Sequence, residues 1–112
     1  MELVGVALFV DDVPALAAFY RTLFDADPSS SDESVAVFHV GRVEVLLHET
    51  DESEPGGLPA EDHFAFAVDD VDERFAELVD AGREPFREPA DYDWGRSAYF
   101  RAPDGQLVEL TG

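Results

Sequence analysis

The chain has 112 residues, 46% of them apolar and nine of them Phe, so it can bury the core of one compact domain. Asp and Glu number 26 against seven Arg, Lys and Cys are absent, and the formal net charge is −19. That balance excludes a basic patch for nucleic acid, disulfides, thiolate nucleophiles and thiolate metal sites. No apolar run approaches the ~20 residues a membrane span needs, and the N-terminus lacks the basic-then-apolar order of a signal peptide. A soluble cytoplasmic protein without membrane or nucleic-acid partners is expected.

Taken in order, alternation predicts a strand over Leu3–Val10. Asp12 then caps a helix over Val13–Phe24, with Pro14 tolerated in its first turn. Val13, Leu16, Ala17, Tyr20 and Phe24 recur at helical spacing and should pack on the sheet. Residues 25–34 are polar, with Pro28 and three consecutive Ser, and read as a loop or a poorly formed edge strand. Val35–Val40 and Arg42–His48 read as a hairpin about Gly41. Glu49–Glu61, acidic and rich in Pro and Gly, reads as a solvated linker.

The second half repeats this plan. His63 opens a strand in which Phe64, Phe66 and Val68 face one way and His63, Ala65 and Ala67 the other. Asp70 caps a helix with Glu73 three residues on, Val71, Phe75, Leu78 and Val79 form its stripe, and Gly82 ends it. A short extended piece at Glu84–Arg87 leads to a loop over Pro89–Gly95. Strands at Ser97–Arg101 and Gln106–Thr111 flank a Pro103-Asp104-Gly105 turn. The stretch Gly5–Val13 matches His63–Val71 at five of nine positions. Ala36, Phe38 and Gly41 answer Ala98, Phe100 and Gly105 if two extra residues are allowed in the second turn. On that count Val45 answers Glu109 and Leu46 answers Leu110. Two βαβββ modules, about 1–49 and 62–112, make one α+β domain, and neither covers its sheet alone.

Val10-Asp11-Asp12 before Phe19-Tyr20, His63 opening the second module, and Trp94-Gly95 ahead of Tyr99-Phe100-Arg101-Ala102-Pro103-Asp104-Gly105-Gln106-Leu107-Val108-Glu109-Leu110 together resemble the vicinal oxygen chelate superfamily. This group holds glyoxalase I, bleomycin-resistance proteins and extradiol dioxygenases. The resemblance covers nearly the whole chain. It implies a cupped mixed sheet of paired modules with helices outside, around a metal or ligand site. It also implies four metal-ligand positions, which the repeat places at Gly5, Val45, His63 and Glu109. A divalent ion needs imidazole or oxygen ligands, and Gly and Val supply none. By parity His48 faces away from the pocket, whereas the facing of His39 is open.

His63 is either a pocket-lining imidazole or a working ligand or base, and with Glu109 it forms an acid–base pair. The first reading is a small-molecule-binding protein that expects no cofactor. Gly5, Val45 and Leu47 would line the apolar half of its cavity, and Trp94 and Tyr99 would stack on the ligand. The alternative is a metal-dependent lyase, isomerase or dioxygenase in which His63, Glu109 and a further ligand hold a divalent metal. A homodimer is expected, because a small chain covers edge strands and apolar faces by association. The acidic, Lys-free composition resembles that of proteins from halophilic archaea, which tolerate such self-repulsion in concentrated salt.

Overall fold

Each helix begins where an aspartate side chain replaces a missing backbone acceptor. The structure, a computed structural model that describes residues 1–50 and 61–112, shows Asp12 Oδ1 accepting from the Ala15 N–H at 3.0 Å. Asp70 Oδ1 accepts from the Glu73 N–H at 3.1 Å. The helices that follow are α1 (Val13–Phe24) and α2 (Val71–Asp80). Asp25 closes α1 at φ +51°, its N–H turned back to the Arg21 and Thr22 carbonyls.

Among the described residues eight strands complete the α+β fold: β1 (Glu2–Val10), β2 (Ser30–Ser31), β3 (Val35–Val40), β4 (Val43–Glu49), β5 (His63–Ala67), β6 (Glu84–Tyr92), β7 (Gly95–Arg101) and β8 (Leu107–Thr111). With the two helices they read βαβββ twice. The chain divides into two compact units, Gly5–Asp62 and Met1–Val4 with His63–Gly112. Residues 51–60, most of the expected linker, lie outside the described residues.

In the first unit the strand order is β2-β3-β4-β1, with β1 parallel to β4. Ala36, Phe38 and Leu47 project from the sheet onto Val13 and Ala17 of α1, all of them buried. Leu8, Val10, Leu16, Tyr20, Phe24 and Val45 surround this cluster. Full burial of Phe38 and Leu47 contributes roughly 1.5–3 kcal/mol each. The helical stripe read from the sequence is therefore the stripe that packs.

In the second unit the order is β5-β8-β7-β6, with β5 parallel to β8. Phe75 of α2 meets Phe100 of β7 at 5.1 Å between ring centroids. Two expectations fail here. Val79, placed in the buried stripe, is 41% exposed, whereas Phe75 and Leu78 of the same stripe are partly buried. The second concerns Pro89–Gly95, expected as a loop. β6 instead runs on to Tyr92, and only Asp93 and Trp94 form the turn. Proline removes a ladder donor, but β6 ends the strand order, and its register shifts on both sides of Arg87 absorb Pro85 and Pro89.

Candidate functional site

Strand register decides which side chains of the second module share a face. Tyr99 stands opposite Glu109, Ser97 opposite Thr111, and Ala65 opposite Glu109 on its other side. Directly paired residues point to the same side of a sheet, and residues two apart on a strand do as well. His63, Ser97, Tyr99, Glu109 and Thr111 therefore lie together on the face away from α2.

Glu109 is the centre of this face. Its side chain is buried, and so are Ser97 and Tyr99. His63 Nε2 lies 3.2 Å from Glu109 Oε1, and since a carboxylate only accepts, that nitrogen carries the proton. Ser97 Oγ donates to Oε2 at 2.7 Å, and Trp94 Nε1–H is shared between Oε2 and Ser97 Oγ at 3.0 Å each. Having given its one proton to Glu109, Ser97 accepts from Thr111 Oγ1, 3.1 Å away. The Tyr99 ring sits edge-on to His63 at 5.9 Å.

The electrostatics follow from these contacts. Burial alone would push the Glu109 carboxyl up. The hydrogen bonds from His63 and Ser97, the neighbouring imidazole charge and the Trp94 N–H outweigh burial, and the carboxyl is held below its ordinary value. Burial, reinforced by the Glu109 and Tyr92 charges, pushes the Tyr99 phenol well above its ordinary range. Tyr99 therefore remains a donor. Among the described residues no buried side-chain polar atom lacks a hydrogen-bond partner. The arrangement can present a fixed imidazole and an indole to a ligand while holding one buried negative charge.

Trp94 combines two properties that seldom coincide. Its N–H is anchored in the buried network, yet the residue is 54% exposed. Tyr92 stacks on it at 4.6 Å and 5° between planes, which leaves the indole rigid.

Among the described residues the first module carries no counterpart of this network. Phe38 pairs with Val45 where Phe100 pairs with Val108, so the second turn holds one extra residue, not two. Leu46, not Val45, therefore answers Glu109. A one-residue slip sends every side chain to the opposite face. Accordingly Val45 and Leu47, expected on the pocket wall, pack against the α1 cluster instead. His48 is corrected the same way: it stands opposite Phe9, its ring 5.3 Å from the Phe9 ring, on the face away from α1. His39 stands opposite Glu44 on that face too. Gly5 pairs with Glu44 and keeps the position equivalent to His63.

A family model for the Glyoxalase/Bleomycin resistance protein/Dioxygenase superfamily matches residues 3–110. The chain belongs to that superfamily. Among curated proteins of the superfamily kind it is similar to metallothiol transferase FosB of Shouchella clausii, 28% identical over 106 residues, or 90% of this chain and 73% of that one. Among solved structures, a hypothetical protein from Bacillus halodurans superposes with a TM-score of 0.78 at 19% identity, over 98% of this chain and 92% of that one. Streptomyces coelicolor methylmalonyl-CoA epimerase in complex with 2-nitronate-propionyl-CoA gives 0.73 at 22% identity, with the same coverage of each chain. These likenesses establish the superfamily fold.

Of the residues singled out from the sequence, the structure brings His63, Glu109, Trp94 and Tyr99 together, and it adds Ser97 and Thr111, which the sequence reading did not name. Their signal was present: Ser-x-Tyr in β7 faces Glu-x-Thr in β8 once the hairpin is registered correctly. Among the described residues, no group of three or more His, Cys, Asp or Glu side chains is arranged to hold a metal ion.

Proposed function

We propose that this superfamily member binds a small organic molecule at the His63–Glu109 face of its second module, and does so without a complete metal shell. One observation carries this reading. Glu109 is hydrogen-bonded by His63, Ser97 and Trp94, so three of the four lone-pair sites of its carboxylate are taken by protein donors. Binding a divalent ion would require that set to break. The equivalent positions of the first module, Gly5 and Leu46, offer no ligand atom. The donor set does not fit a divalent ion. The epimerase relative, complexed with an organic CoA derivative, supports ligand binding as the use of this fold.

The test is elemental analysis of protein purified without added metal, followed by thermal melts with Zn, Ni and Mn salts. Substoichiometric metal and an unchanged melting temperature are expected. One equivalent of metal, lost in His63→Ala, would overturn the reading in favour of the metal-dependent lyase, isomerase or dioxygenase, an alternative that the metallothiol transferase relative keeps in view.

The protein is further proposed to work as a soluble cytoplasmic homodimer with the whole chain as one domain. No described helix is long and apolar enough to cross a membrane. Phe19 and Leu23, 58% and 61% exposed and one turn apart on α1, are apolar surface that a second copy would cover. Light scattering in high salt should give twice the 12.3 kDa chain mass. A value matching one chain would disprove the dimer.

A further inference from the structure

The chain holds one tryptophan, and its own polar atom fixes that side chain half outside the protein. Trp94 Nε1–H reaches inward to Glu109 Oε2 and Ser97 Oγ, at 3.0 Å each, while 54% of the residue stays exposed. Tyr92 lies against one face of the indole, with centroids 4.6 Å apart and 5° between planes. One face is thus covered and the N–H edge is committed, so the exposed surface is the opposite face and the benzo edge. An indole left in water forgoes a large gain from burial. Here the two-residue turn between β6 and β7, the stacked Tyr92 and the inward N–H together keep it there.

We propose that the small molecule bound at the His63–Glu109 face carries a planar aromatic cation, which stacks on the open face of Trp94. The inference deepens the proposed function and rests on it. Flatness follows from the platform, because a rigid indole already stacked on one side continues the stack best with another flat ring. The sign of the charge follows from three features. An indole face attracts a cation more strongly than any other aromatic side chain. Its N–H donates to a carboxylate, and that charge-assisted bond polarises the ring so that its face gains negative potential. The carboxylate itself is buried one hydrogen bond from the indole edge, where water screens it little.

The surrounding charges agree. Asp93, the other residue of the turn, is exposed. Arg96, two residues on, is held by Asp72 and Asp91. His63 meets Glu109 through the other oxygen, Oε1, so the carboxylate keeps its charge while the imidazole is neutral. The whole chain, at −19, also favours a cationic ligand over an anionic one.

The experiment separates ring from charge with four probes: 1-methylquinolinium, quinoline, quinoline-2-carboxylate and tetramethylammonium. Each is titrated into the full chain in constant high salt with a chelator, at about pH 8, above the usual imidazole range. The single indole N–H signal in the NMR spectrum reports binding at Trp94, and ligand-observed NMR follows the variants. 1-Methylquinolinium should bind about tenfold more tightly than quinoline, with the carboxylate and tetramethylammonium weaker still. Trp94→Leu should weaken 1-methylquinolinium about tenfold. Should that variant fail to fold, Trp94→Phe decides instead, since it keeps a ring but loses the N–H and the stronger face. Glu109→Gln should weaken the cation about threefold and leave quinoline unchanged.

Quinoline binding as tightly as 1-methylquinolinium, or undiminished binding by the Trp94 variant, overturns the inference. If all three planar probes bind equally and Trp94→Leu weakens each, the ligand site stands and its preference for a cation is wrong. If no probe binds, the inference falls, and elemental analysis decides the ligand-binding reading by itself. A Trp94 shielded from acrylamide quenching in the unliganded protein would place it between two copies of the chain, which also overturns the inference.

Discussion

Glu109→Ala is expected to destabilise the protein by about 4 kcal/mol, enough to remove a large share of the 5–15 kcal/mol typical of a domain. The loss comes less from the carboxylate itself than from what it leaves behind. Ser97 is fully buried, and its hydroxyl and the His63 N–H would lose the carboxylate as acceptor, while the Trp94 N–H would keep only Ser97 Oγ. Each orphaned buried donor costs about 1–3 kcal/mol. Glu109→Gln should cost less, about 2 kcal/mol, because its amide oxygen can still accept from Ser97 and Trp94 while its amide NH2 faces the His63 donor. Urea denaturation of both variants in the same high salt measures the difference. A loss below about 1 kcal/mol for the Ala variant would mean that water replaces the carboxylate without strain.

The pH dependence of the same residue has a definite sign. Its carboxyl is held below the ordinary value of 4.5, so the folded state binds fewer protons there than the unfolded chain. The stabilisation is present above about pH 4.5 and is lost as pH falls through the lowered folded value. Acidification also reduces the −19 charge and relieves repulsion, which works in the opposite direction. Comparing the parent with Glu109→Gln at fixed salt cancels that background. The variant should show the flatter acid limb.

Much of this molecule is legible because local signals and the repeat agree. Asp12 and Asp70 mark both helix starts, and the α1 stripe from Val13 to Phe24 is the one that packs. Each miss has a definite physical cause. Glycine in a turn marks a bend but does not count its residues, so aligning Gly41 with Gly105 displaced β4 by one position. With period-2 alternation that single residue exchanged the faces of Val45, Leu47 and His48. Pro89 suggested a loop because a proline cannot serve a central strand, whereas β6 lies at the end of its order. The site was half legible. His63 and Glu109 were visible as chemistry, but Ser97 and Thr111 become partners only through cross-strand register, which no local pattern encodes.

Dilution from about 2 M salt to about 10 mM at neutral pH should unfold the parent protein, the largest effect expected of any change in conditions. The Debye length grows from ~3 Å at 1 M to ~30 Å at 0.01 M. At the shorter length only adjacent carboxylates interact, and at the longer one each of the 26 acidic residues feels most of the others. Local devices cannot absorb this. At the start of α2, where Asp69, Asp70, Asp72 and Glu73 crowd together, Asp70 serves as the cap and Arg96 grips Asp72 at 2.6 and 2.8 Å. Arg96 holds the Asp72 carboxyl below its ordinary value. One arginine answers four acids there, and over the whole chain seven answer 26. Far-UV circular dichroism across a KCl series should show a cooperative transition whose midpoint moves to lower salt as pH falls toward 5, since protonation removes the same charge that salt screens. Choline chloride should substitute for KCl if screening is the cause. A native spectrum retained at about 10 mM salt and pH 7 would show that burial of the α1 and β7–β8 cores outweighs the repulsion of the entire surface.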